Sequence, residues 1–233
     1  MSTKTLTFQE KHEKEFAKLL EYLHNYPFNK YLNEELLIQN LNKYHRKLRS
    51  LFLFSRELKG KLNHFYFQEC VSELLINITL LTQGLYKQVN FSSRSAIENF
   101  FKFIYSNNIS KNETLVNLKV SKLFEDVLHH FEQSSAIRSE LEKLNQQYST
   151  LCEFVHTSSQ NHTTMVHYLS NLPFFSEEHL EKNISMLINL VTSMIMTLLL
   201  LFNDCFKSLS TIKKQEILES FNYKIKNRFM SWN

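Results

Sequence analysis

Glycine and proline are nearly missing from this chain, with two of each in 233 residues. Sheets need both at their turns, and doubly wound folds need glycine where strand passes to helix. So few breakers predict long helices joined by polar connections. With Gly60 and Gly84 alone, no phosphate-binding loop, dinucleotide fingerprint or nucleophile elbow can be written. Cysteine is also sparse. Cys70, Cys152 and Cys205 stand far apart without a C-x-x-C pair, which argues against a zinc finger. That odd count, and an N-terminal stretch without an apolar signal region, point to a reducing cytoplasm.

What is present is globular in balance: 43% apolar and 21% charged residues, enough to bury a core. We expect one all-α domain over residues 1–233, a bundle of long antiparallel helices, with C-terminal helices over 176–230. The net charge of +4 permits a nucleic-acid partner without demanding one.

Apolar spacing sets the elements. Phe8 to Tyr26 reads as a helix, and Pro27 interrupts it. Asn29 to Lys61 reads as one long helix with Leu37, Leu41, Tyr44, Leu48 and Leu51 inward. Lys43, Arg46, Lys47 and Arg49 fall mostly on the opposite arc. That arc is either a phosphate-contacting strip or an ordinary solvated surface. Helices follow over His64–Gln83, Gly84–Tyr105, Thr114–Phe131 and Ala136–Val155, with a loop at Thr157–Thr164. Ser176 suits a helix cap, with Glu177 and Glu178 in the first turn. The stretch Ile184 to Phe202 carries no charge and could span a bilayer. Its Asn189, Thr192, Ser193 and Thr197 favour a buried core helix over a membrane attachment. Thr211 to Trp232 reads as a basic amphipathic helix.

Two constellations carry the chemistry. Arg94 and Glu98, four apart, share a face of a helix whose Ser92, Ser93, Ser95 and Ala96 let a neighbour approach. They form either a buried brace or an anion contact through Arg94. Glu153 and His156, three apart, form the second pair. A di-metal bundle needs that motif twice, so no metal and no cofactor is expected. His156 acts as general acid or base with Glu153 setting its tautomer, or it is a helix-end histidine bonded to backbone.

These stretches resemble HEPN-like all-helical bacterial proteins, some of them near abortive-infection (phage-defence) genes. The resemblance rests on Gly84, Tyr86, Arg94 and Glu98, then on Tyr148, Leu151, Cys152, Val155 and His156. It covers about Phe67 to Ser159. It implies a helical bundle, a homodimer, and binding of RNA or a partner protein in a defence or stress system. Tyr148, Glu98 and Glu153 would then join Arg94 and His156 in a polar pocket, while the basic arc attracts a polyanion. Catalytic members carry an arginine four to six residues before the histidine. Here Thr150, Leu151 and Cys152 occupy those positions, with Ser149 beyond. A metal-independent ribonuclease would need Arg94 to reach His156 in space.

Overall fold

Local rules start and stop the helices. In the computed structural model, which describes residues 7–25, 34–60, 62–110, 115, 118–156 and 175–231, every long element is helical. α1 (Phe8–Asn25) begins at a capping box. The Thr7 amide donates to Glu10 Oε2 at 2.7 Å, and the Glu10 amide donates back to Thr7 Oγ1 at 3.3 Å. α2 (Glu35–Leu58) is shorter than its apolar pattern, ending where Gly60 turns with φ +82°. α3 (Phe65–Thr82) and α4 (Tyr86–Asn108) form a hairpin. Its turn is a Schellman motif: Leu85 N–H reaches Leu80 O at 2.9 Å and Gly84 N–H reaches Leu81 O at 3.1 Å. Gly84 holds φ +68°, where a Cβ would clash with the backbone.

α5 (Val120–His130) and α6 (Ser135–His156) follow, then α7 (Glu177–Leu201). The expected cap forms, since Ser176 Oγ accepts from the His179 amide at 3.3 Å. α7 ends at Phe202, and α8 (Asn203–Lys207) is a separate short helix. The expected C-terminal helix is two, α9 (Thr211–Leu218) and α10 (Tyr223–Met230). Asn222 caps the second by accepting from the Ile225 amide at 3.0 Å.

α3 and α4 are antiparallel: the Asn63–Asn107, Glu73–Ser95 and Asn77–Ser93 hydrogen bonds converge on the Gly84 turn. Not every pair in the bundle is. Tyr86 at the start of α4 stacks on His179 at the start of α7, with centroids 5.6 Å apart. Phe103 near the end of α4 meets Phe202 just past the end of α7, at 6.4 Å. These two helices therefore run in the same sense.

α7 is the hub, packed on α2, α4 and α6. By length and composition it could cross a membrane, its most apolar 18-residue window having a mean hydropathy of 2.2. In the fold 61% of that window is buried, and Ser193 to Leu199 are enclosed without interruption. Each large apolar side chain so enclosed contributes about 1.5–3 kcal/mol. Its two inner threonines are satisfied within the helix: Thr192 Oγ1 donates to Ile188 O at 2.6 Å and Thr197 Oγ1 to Ser193 O at 2.8 Å.

Candidate functional site

The serines of α4 let α3 come close, and a carboxylate fills the contact. Glu73 accepts from Ser92 Oγ at 2.7 Å and from Ser95 Oγ at 3.0 Å. Glu73 had no signal in the sequence beyond being a polar residue in an apolar helix. On the other flank of α4 lies α6. Arg94 donates to the Tyr148 hydroxyl through Nε and Nη2, and its guanidinium carbon sits 5.4 Å from the Tyr148 ring centre. Phe124 supports that ring edge-on at 4.7 Å.

The expected Arg94–Glu98 pair does not form. Glu98 accepts from Lys102 Nζ at 2.8 Å instead. Both choices are one helical turn away, and Tyr148 decides by taking the guanidinium. Among the described residues no carboxylate accepts from Arg94. Burial opposes its charge, but the hydrogen bond to Tyr148 and the nearby Tyr148, Cys152 and Glu98 outweigh it, holding its pKa above the ordinary value. Burial also raises the Tyr148 pKa, against the lowering pull of Arg94. The phenol therefore stays neutral and leaves the arginine charge uncancelled.

Along α4 this arginine belongs to a stripe. Lys87, Phe91, Arg94, Glu98 and Lys102 are spaced four, three, four and four apart, so they share one face. Phe91 is 42% exposed, though Phe65 of α3 is more open at 61%. Lys87 Nζ lies 6.0 Å from the Phe91 ring centre, and Lys102 Nζ lies 6.0 Å from that of Tyr66. The face alternates cations with an open aromatic ring.

His156 closes α6, eight residues beyond Tyr148, and its side chain lies outside the described residues, as does the loop expected at 157–164. Glu153 is exposed on the last turns of α6. Among the described residues no group of three or more His, Cys, Asp or Glu side chains could hold a metal ion.

The basic arc of α2 is used in part inside the fold. Arg46 donates to Glu219 Oε1 at 2.8 Å. Lys47 Nζ stands 4.0 Å above the Phe221 ring, and burial, with Arg46 adding, pushes its pKa down to about 8. Arg49, 6% exposed, donates to Glu15 Oε2 at 2.6 Å. Lys43 is exposed, with Asn40 Oδ1 at 3.4 Å. α1 and the segment from α9 to α10 thus take up Arg49 and Lys47, while Lys43 and Arg46 stay exposed. α2 has a second packed layer on the side that its charges marked as outer.

Comparisons with protein-family models, with curated proteins and with solved structures each give no match.

Proposed function

We propose that the chain is a HEPN-like helical binding protein whose α4 face engages single-stranded RNA without cutting it. One observation carries this reading: a charged arginine held by a neutral phenol, beside an open phenyl ring, on one helix face. Such a face suits a strand whose base stacks on Phe91 while a phosphate meets Arg94. Base–aromatic stacking contributes about 1–3 kcal/mol per base, and each phosphate neutralised adds salt dependence. The resemblance supports the same reading, since Arg94 and Tyr148, two of the residues it rests on, meet at the α4–α6 seam. Its implications of a cytoplasmic homodimer in a bacterial defence or stress system belong to this proposal.

Fluorescence anisotropy with a labelled uridine oligomer tests it. Arg94→Gln and Phe91→Ala should each weaken binding about tenfold. Arg94→Gln should also flatten the salt dependence by close to one ion. Wild-type affinity in both variants would sink the proposal. Cleavage of the oligomer in EDTA, lost in His156→Ala, would favour the ribonuclease alternative. The burial of α7 supports a core helix over a membrane attachment, so the protein should leave the membrane fraction in a mild salt wash.

A further inference from the structure

The outer face of the α3–α4 hairpin stays apolar after the core is built. Seven large apolar side chains are exposed among the described residues, and four of them stand here: Phe65, Leu75 and Ile76 on α3 and Phe91 on α4. Leu75 and Ile76, at 42% and 46%, sit in mid-helix, where no fraying end accounts for them. α3 has two charged residues in 18, Glu69 and Glu73. Glu73 turns to the α4 serines, and from Leu74 to Thr82 the helix carries no charge. A helix apolar on both sides is characteristically covered on both sides, and an exposed apolar patch marks a contact face.

The charges of the hairpin are sorted by end. Glu73 lies level with Ser95 and Asn77 with Ser93, which fixes the register of the two helices. The open end holds Glu69, Glu73 and Glu98 against Lys102 alone. The turn end holds Lys87 and Arg94 and no carboxylate. Glu98 takes Lys102; among the described residues Glu69 has no cation, and Lys87 and Arg94 have no carboxylate. A two-fold axis between Leu75 and Ile76 lays the acidic end of one copy on the basic end of another. Leu75 then meets Ile76, Glu69 comes level with Lys87, and Phe91 comes level with Ser72, whose small side chain leaves room for a ring. A face complementary to itself fits a second copy of the chain.

We infer that the chain self-associates through this face, hairpin on hairpin in antiparallel register, and that the pairing covers Phe91. With 18 residues in α3, two packed helices present a face about 27 Å long and about 20 Å wide. Two such faces bury roughly 1,000 Å², the size of a transient contact. The dimer therefore forms and parts at micromolar concentration. The pairing stands on the exposed apolar groups and the sorted charges. Its effect on RNA rests on the α4 reading: a strand stacked on Phe91 must displace the second copy.

Sedimentation velocity across the micromolar range, at low salt, reads the pairing. Wild type should pass from monomer to dimer. Leu75→Asp and Ile76→Asp should each weaken the dimer about a hundredfold. Glu69→Lys and Lys87→Glu should each weaken it about tenfold, since the two-fold counts every change twice. Exchanging both charges together should restore most of the loss. A wild type that stays monomeric overturns the inference. So does a dimer indifferent to both aspartates, once circular dichroism shows those variants folded, or a double exchange that recovers nothing. A uridine oligomer that binds should return the dimer to monomer, and binding that leaves the dimer intact overturns the shared face. An oligomer that does not bind sinks the α4 reading instead, and the charge exchange then decides the pairing alone.

Discussion

Arg94 of α4 meets Tyr148 of α6 through two hydrogen bonds to one oxygen, at 3.3 and 3.2 Å. The phenol positions the cation without neutralising it. Tyr148→Phe keeps the ring contact with Phe124 and removes the acceptor. Stability should fall by about 1 kcal/mol, read from the urea midpoint. RNA affinity should fall less than in Arg94→Gln, because the charge remains.

Acid should destabilise the α1–α2 contact. Burial holds His45 down to about 4, with His12 adding to the effect, and His12 is lowered too. The unfolded chain takes protons on both rings from about pH 6.5 downward. The folded chain resists, so the unfolded state binds more protons there and stability drops as pH falls. This stability is fully present above about 6.5 and is lost on approach to about 4. Melting temperature across that window should fall steeply in wild type and less in His45→Gln.

Arg49 is buried, while its partner Glu15 is 51% exposed. Removing the carboxylate strands the cation rather than the anion. Glu15→Gln should cost about 1–3 kcal/mol, against less than about 0.5 kcal/mol for the exposed Glu13→Gln. Chemical denaturation of the two variants side by side makes the comparison.

Gly84→Ala forces a Cβ into left-handed backbone at the hairpin turn. The cost should be about 1–2 kcal/mol, with unchanged helix content by circular dichroism.

The scarcity of glycine and proline made the helices legible, and the serines of α4 announced a close neighbour. Ser176 read correctly as a cap because capping is a local rule. Partner choice did not read. Glu98 stands four from both Arg94 and Lys102, and only Tyr148, 54 residues from Arg94, settles which it takes. The basic arc of α2 was legible only in part for a related reason. Charge pattern marks the side away from the first layer, and a second layer formed by α1 and the C-terminal helices covers Lys47 and Arg49 within it. His12 and His45 meet across 33 residues, with no spacing to betray them.

The hub helix α7 is made late, after the elements it joins. During synthesis α2, α4 and α6 must wait on the ribosome with an oily slot between them, for several seconds at ordinary translation speeds of about 5–20 residues per second. Nascent chains at that stage are natural clients for chaperones that shield apolar surface. A chain stopped at Phe175 should accordingly pellet on expression, and adding a peptide of the α7 sequence should return part of it to solution.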